Sequence, residues 1–377
     1  MIKYSVNLQN ILGYHLGKTH LSRQKFISGF ILSMIKNKSV KFPEIADDLN
    51  DSSKPESNLR RIQNFFAEYD MDYLVNARLL MSFVPLKNLD VSIDRTNWKF
   101  GKTNINILCL TVSYKGVGIP ILFELLDKRG NSNVDERVEL LDQFITLFGS
   151  KCINSFTADR EFIGDKWYNY LIINKIPLYI RLPKSHRLTL GGINYRIDEL
   201  INAYVPKGEK HIHNIEMHGI YPLSIGLRKL PKNGKKRKED DYLAVLTNNP
   251  NTNALQVYKK RWTIETFFQS IKKRGFDIEQ THLDQAYRLK KLFAFVALAF
   301  VLCLTVGVHH DQSVKLIEIK NNGYKQNSFF RVGLDKFKRA LNHVFDDIAR
   351  LNALLAIILK KIIKIALSRN LDKCFIT

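Results

Sequence analysis

The chain is 377 residues long, 45% hydrophobic and 25% charged, with a net charge of +22. Its length allows two or three domains and its apolar content a sizeable core, while the excess of Lys and Arg points to a polyanion, either nucleic acid or an anionic membrane surface. The four cysteines, Cys109, Cys152, Cys303 and Cys374, form no CxxC pair, which argues against a zinc site or a disulfide framework and suits a reducing cytoplasm. Residues 1–16 lack the long apolar core and small-residue cleavage site of a signal peptide.

Residues 1–85 read as helical. Two short helices, 43–49 and 56–69, flank a turn at 50–54 in which Ser53 is a candidate N-cap. This spacing fits a helix-turn-helix whose second helix carries Arg60, Arg61 and Asn64 toward DNA, Arg suiting guanine and Asn adenine. An ordinary αα-hairpin in a small bundle fits it equally well.

From residue 87 the pattern changes. Three β-branched, apolar runs, LKNLDVSIDRTNW, INILCLTVSY and GIPILFELL, are separated by turn residues and predict an antiparallel meander. Asp94 falls at the end of the first. Residues 134–148 form an amphipathic helix, INSFTADREF a fourth strand ending at Asp159, residues 165–175 a helix and PLYIRLPK a fifth strand. Three strands, helix, strand, helix, strand is the order of the ribonuclease-H-like α/β fold, whose acidic residues come from the first strand, the fourth strand and a late helix. Singly, each aspartate reads as well as a turn residue or cap, or as a surface carboxylate paired with its neighbour in Asp94-Arg95 or Asp159-Arg160-Glu161.

About 106 residues separate Asp159 from the next candidate acid, Glu265, too long for one connection in a compact domain. Residues 185–250 alternate in polarity and read as a β-rich insertion. Within them LRKLPKNGKKRKED carries Lys235, Lys236, Arg237 and Lys238 beside a turn. This is either a basic arm on the DNA backbone or a solvated hairpin tip. His211, His213 and His218 are spaced loosely for a metal and read as strand residues.

Residues 258–275, YKKRWTIETFFQSIKKRG, predict one helix, capped by Asn251 or Thr252 and ended by Gly275. Arg261, Glu265 and Lys272 follow Tyr258 by 3, 7 and 14 residues. At roughly 100° per residue the four fall within an arc of about 60°. One face thus carries a carboxylate, two cations and a phenol, a set suited to holding a metal ion beside a phosphate. The plainer reading is a surface helix with an i,i+4 ion pair. Residues 292–308 carry no charge over about 17 positions, the lower limit for a membrane span. Their place directly after this helix favours a buried core helix. Residues 337–344 and 351–367 fit packing or dimerisation helices.

Three blocks stand out: SIDRTNW with Asp94, FTADREFIG with Asp159, and Y-x2-R-x3-E-x6-K, filled by Tyr258, Arg261, Glu265 and Lys272. Together they resemble the DDE transposases of the insertion-sequence-four family. The order of the blocks and the long insertion before the last agree, over about residues 90–275; the third block is specific, the first two moderately so. The resemblance implies a ribonuclease-H-like core interrupted by a β-rich insertion, with helical N-terminal and C-terminal regions. It implies a catalytic triad of Asp94, Asp159 and Glu265 binding two Mg²⁺ ions, with Mn²⁺ able to substitute, and Tyr258, Arg261 and Lys272 gripping DNA phosphates. Carboxylate oxygens suit hard Mg²⁺ on chemical grounds as well.

The same resemblance implies an end-binding domain at 1–85, a catalytic domain at 86–310 and a helical region at 311–377 serving a homodimer. The partners are then double-stranded DNA, as element ends and as target, and no membrane; the location is a bacterial cytoplasm. Three other readings remain: a catalytically silent DNA-binding relative, a membrane protein using residues 292–308, and a ribonuclease-H-like nuclease that only cuts.

Overall fold

Apolar stripes at helical spacing fold the N-terminal region into α1 (Val6–His15), α2 (Leu21–Asn37), α3 (Phe42–Leu49), α4 (Pro55–Glu68) and α5 (Tyr73–Met81). The computed structural model describes residues 6–15, 20–205, 208–230, 242–321, 323–343 and 348–374. Pro43 and Pro55 stand in the first turns of α3 and α4, where a missing N–H costs nothing. Ser53 does not cap α4: the N-cap is Lys54, without a side-chain bond, and Ser53 is instead hydrogen-bonded by Asn50 within the turn (2.9 Å). Buried Asn58 fixes the α3–α4 angle by donating to the carbonyls of Ala46 (3.0 Å) and Asn50 (3.1 Å).

The β-branched runs form β1 (Leu89–Phe100), β2 (Thr103–Tyr114) and β3 (Val117–Leu125), an antiparallel meander. Gly101 and Gly116 take positive φ at its two hairpin turns, a region closed to most side chains. The helix α6 (Val134–Phe148), started by an Asn133–Glu136 capping box, then leads to β4 (Ile153–Ala158), which pairs with β1 in parallel. After α7 (Asp165–Ile173), β5 (Leu178–Arg181) joins β4 in parallel.

Residues 185–250 contribute β6 (Arg187–Leu190), β7 (Ile193–Arg196), α8 (Ile197–Tyr204), β8 (Glu209–Met217), β9 (Ile220–Lys229) and β10 (Tyr242–Thr247). They extend the same sheet: β10 lies antiparallel beside β5, and the order is β3-β2-β1-β4-β5-β10-β9-β8-β6-β7. Lys235, Lys236, Arg237 and Lys238 lie outside the described residues.

The chain returns to the sheet as α9 (Ala254–Tyr258), a 3₁₀ turn at Lys259–Arg261 and α10 (Trp262–Ile271), then continues into α11 (Ala286–Ser313), α12 (Phe329–Asn342) and α13 (Ile348–Cys374). Among the described residues α11 is the one helix long and apolar enough to cross a membrane, and 94% of its most apolar window is buried inside the protein. Its phenylalanines explain this. Phe295 packs on Phe30, Phe65 and Phe66 of the N-terminal helices, Phe293 on Phe123 of β3, and Phe300 on Phe267 of α10. One hydrophobic core therefore runs from α2 through the sheet to α12.

Candidate active site

The parallel ladder between β1 and β4 ends at the pair Ile93↔Ala158. Asp94 is the next residue of β1 and Asp159 the first past β4, close enough for the two carboxylates to feel each other's charge. Asp94 is not at the end of its strand, as the sequence suggested. β1 runs on to Phe100 because its other edge stays paired with β2, Asp94 facing Cys109.

The third acid arrives on α10. Asn253 starts the segment by accepting from the Gln256 N–H (3.0 Å), and Ala254, Leu255 and Tyr258 pack on Tyr179 and Val245 of the sheet. The predicted capping by Asn251 or Thr252 is thus displaced to Asn253. The 3₁₀ turn then aims Arg261 inward, where it is 7% exposed. Its Nη1 donates to Asp94 Oδ2 (2.9 Å) and its Nη2 to Glu265 Oε1. The Tyr258 hydroxyl donates to Asp159 Oδ1 (3.2 Å), and Arg181 of β5 lies 3.8 Å from the same oxygen. Lys260 pairs with Asp90 at the start of β1 (2.9 Å), pinning the turn to the sheet.

Asp94, Asp159, Tyr258, Arg261 and Glu265 thus meet in one place, while Lys272 does not share their stripe. The helix stops at Ile271, and Lys272 is its non-helical C-cap, paired with Glu279 (2.8 Å) and lying over the Trp98 ring (5.9 Å). The cause is tertiary: Phe276 and Ile278 are fully buried, and their burial draws the chain off the helix axis. At Gly275 a Cβ would stand 2.0 Å from the Ser270 carbonyl oxygen, so only glycine fits the return. Arg60, Arg61 and Asn64 are exposed on α4, opposite its buried Ile62 and Phe66, and Arg61 lies over the Phe26 ring (5.7 Å).

Electrostatically the site is a carboxylate cluster around one buried cation. Burial raises the pKa of Asp94 to about 7; Arg261 and the Arg95 N–H oppose that rise, while Asp159 and Glu161 add to it. Burial likewise pushes the Tyr258 hydroxyl well above its ordinary value. Burial disfavours the Arg261 charge, but Tyr258, Asp94, Asp159 and Glu265 outweigh it and raise the pKa further.

Two further charged residues, passed over as mere neighbours in the sequence, belong to this site. Arg95 forms a fork with Glu161 across the strands (2.6 and 2.7 Å), so the pairing joins the two aspartate segments and does not stay local. The charged residues themselves were visible in the Asp-Arg and Asp-Arg-Glu runs, but their pairing across 66 residues was not.

A family model described as the transposase DDE domain matches residues 91–302, more than half of the chain. The chain belongs to the DDE transposase family. Membership implies a metal-dependent DNA phosphoryl transferase. No curated protein matches the sequence. Among solved structures the transposase is similar to the piggyBac transposase synaptic complex with hairpin DNA, at 12% identity and a TM-score of 0.47, over 91% of this chain and 78% of that one.

The carboxylates of Asp94, Asp159 and Glu265 supply hard oxygen donors of the kind divalent cations take. The raised pKa of Asp94 comes first from its burial, which Arg261 only partly offsets, with smaller contributions from Asp159 and Glu161. By its oxygen chemistry the donor set suits a divalent cation. Among the described residues no three His, Cys, Asp or Glu side chains close on a single point; the Arg261 guanidinium stands between Asp94 and Glu265.

Proposed function

We propose that this transposase uses Asp94, Asp159 and Glu265 as its catalytic triad, with Tyr258, Arg261, Glu265 and Lys272 as the signature of the insertion-sequence-four type. The observation that carries the reading is that Arg261 binds Asp94 of β1 and Glu265 of α10 while Tyr258, from the same segment, binds Asp159 just past β4. In this reading β3-β2-β1-β4-β5 is a ribonuclease-H-like core, and residues 185–250 are inserted ahead of the helix that carries the third acid. Residues 86–310 are then the catalytic domain, 1–85 bind the element ends through Arg60, Arg61 and Asn64, and 311–377 serve a homodimer. The partners are double-stranded DNA ends and target, met in a bacterial cytoplasm and without a membrane.

The three acids would hold divalent ions, Mg²⁺ with Mn²⁺ as substitute. Bound there, such ions supply Lewis-acid stabilisation to the attacking and leaving oxygens of an in-line displacement. The chain's own groups do the rest. The Tyr258 hydroxyl orients the Asp159 carboxylate. Arg261 gives up its carboxylates and offers its fork to a DNA phosphate, bidentately. Lys272, at the end of α10, meets the backbone as a point charge.

Strand transfer separates this reading from a nuclease that only cuts. Pre-cleaved element ends with free 3′-hydroxyls, incubated with the protein, Mg²⁺ and a circular target, should yield joined products. Hydrolysis of duplex DNA with no joined product would support the nuclease. Specific end binding with neither reaction would support the silent relative.

A further inference from the structure

We propose that Arg95 and Glu161 form a positioning clasp that sets the separation and orientation of Asp94 and Asp159; this rests on the triad reading above. A guanidinium has five N–H donors, and Arg95 uses all of them. Nε and Nη2 bind the two oxygens of Glu161 (2.6 and 2.7 Å). Nη1 donates to Asn106 Oδ1 (2.9 Å) and the Gly130 carbonyl (2.6 Å), and Nη2 also to Asn131 Oδ1 (2.8 Å). The side chains of the pair are only 11% and 20% exposed.

Each member of the pair lies one or two residues from an acid. Arg95 follows Asp94 directly, and its backbone N–H donates to Asp94 Oδ1 (2.8 Å). Glu161 lies two residues after Asp159, in a turn closed by the Phe162 N–H on the Asp159 carbonyl (3.0 Å). Arg137 of α6 holds the same turn from below, donating to the Glu161 carbonyl (3.0 Å) with its guanidinium over the Phe162 ring (5.0 Å). The parallel ladder has already ended at Ile93 and Ala158. Beyond that point no β1–β4 backbone pairing fixes the acids, and the clasp takes over that task. A half-buried pair in which all five guanidinium donors are engaged holds its geometry better than a freely solvated one.

Metal ligands depend on the groups that orient them, and removing such support typically costs about 10–100-fold in affinity. The test measures Mn²⁺ binding to the full chain without DNA, by electron paramagnetic resonance of the free ion, alongside thermal unfolding. The variants are Arg95→Lys, which keeps the charge and loses the fork, and the isosteric Glu161→Gln, with Asp159→Asn as control. The clasp requires Mn²⁺ affinity to fall about ten-fold or more in each variant that folds, and cleavage by that variant to recover as Mn²⁺ is raised. Unchanged Mn²⁺ affinity in folded Glu161→Gln, with or without a lower melting temperature, would make the pair merely structural and overturn the clasp. Wild-type Mn²⁺ binding by Asp159→Asn would instead overturn the triad reading beneath it.

Discussion

Arg261 is the residue on which the acids depend. It places one buried positive charge between Asp94 and Glu265, and its Nε is buried without a hydrogen-bond partner among the described residues. Removing one member of a buried ion pair strands the other, at a cost of about 3–5 kcal/mol. Arg261→Ala should therefore lower the melting temperature in metal-free buffer. A divalent ion that takes over the neutralising role stabilises the folded state by mass action. Millimolar Mg²⁺ should raise the melting temperature more in Arg261→Ala than in wild type. Equal or smaller gains would show that the ion and the guanidinium do not compete for the same carboxylates.

At the scale of elements, close approach is built from glycine. Gly307 of α11 and Gly333 of α12 face each other's helices, and a Cβ on Gly333 would stand 1.8 Å from the Cys303 carbonyl oxygen. Gly333→Ala should destabilise the protein by about 1–3 kcal/mol or more through forced separation of the two helices, read as a lower denaturation midpoint. On the other side of the molecule α13 sets Lys361 over the Tyr114 ring of β2 (4.1 Å). Burial, then the nearby Lys115 charge, lowers the Lys361 pKa to about 8. The unfolded chain keeps its proton up to about 10.4, so between these values the unfolded state binds more protons and stability rises with pH. Lys361→Met should be more stable than wild type at pH 7, and the gap should narrow as pH rises from about 8 toward 10. A gap independent of pH would contradict the assigned shift.

What was legible at this scale follows from what each signal measures. The meander and α6 were legible because β-branched runs, turn glycines and the Asn133–Glu136 box act locally. Asp94 and Asp159 stood out because each follows an apolar strand run. The end of α10 was not legible, since burial of Phe276 and Ile278, and not a local breaker, ends it before Lys272. The clasp was hidden for a related reason: Arg95 and Glu161 lie 66 residues apart and meet only through the parallel register.

At the scale of the whole molecule α11 is the spine. Its apolar run, which passes the length test for a membrane span, is buried between the N-terminal helices, the sheet and α12. Lys291 on it donates to the Phe66 carbonyl at the end of α4 (2.8 Å), and Lys290 pairs with Glu124 at the edge of β3 (2.6 Å). The exposed Arg60, Arg61 and Asn64 are thereby carried on a helix that shares one core with the acids. The net charge of +22 supplies the long-range attraction for a polyanion, and in the proposed reading the short-range chemistry rests on three carboxylates.

The most direct measurement is strand cleavage of a DNA fragment carrying the element's own flanking ends, with Mg²⁺, by wild type beside Glu265→Ala. The account predicts specific nicking at the 3′ ends by wild type and none by Glu265→Ala, with end binding retained in both. Cleavage by Glu265→Ala at the wild-type rate would remove α10 from the catalytic site and contradict the account.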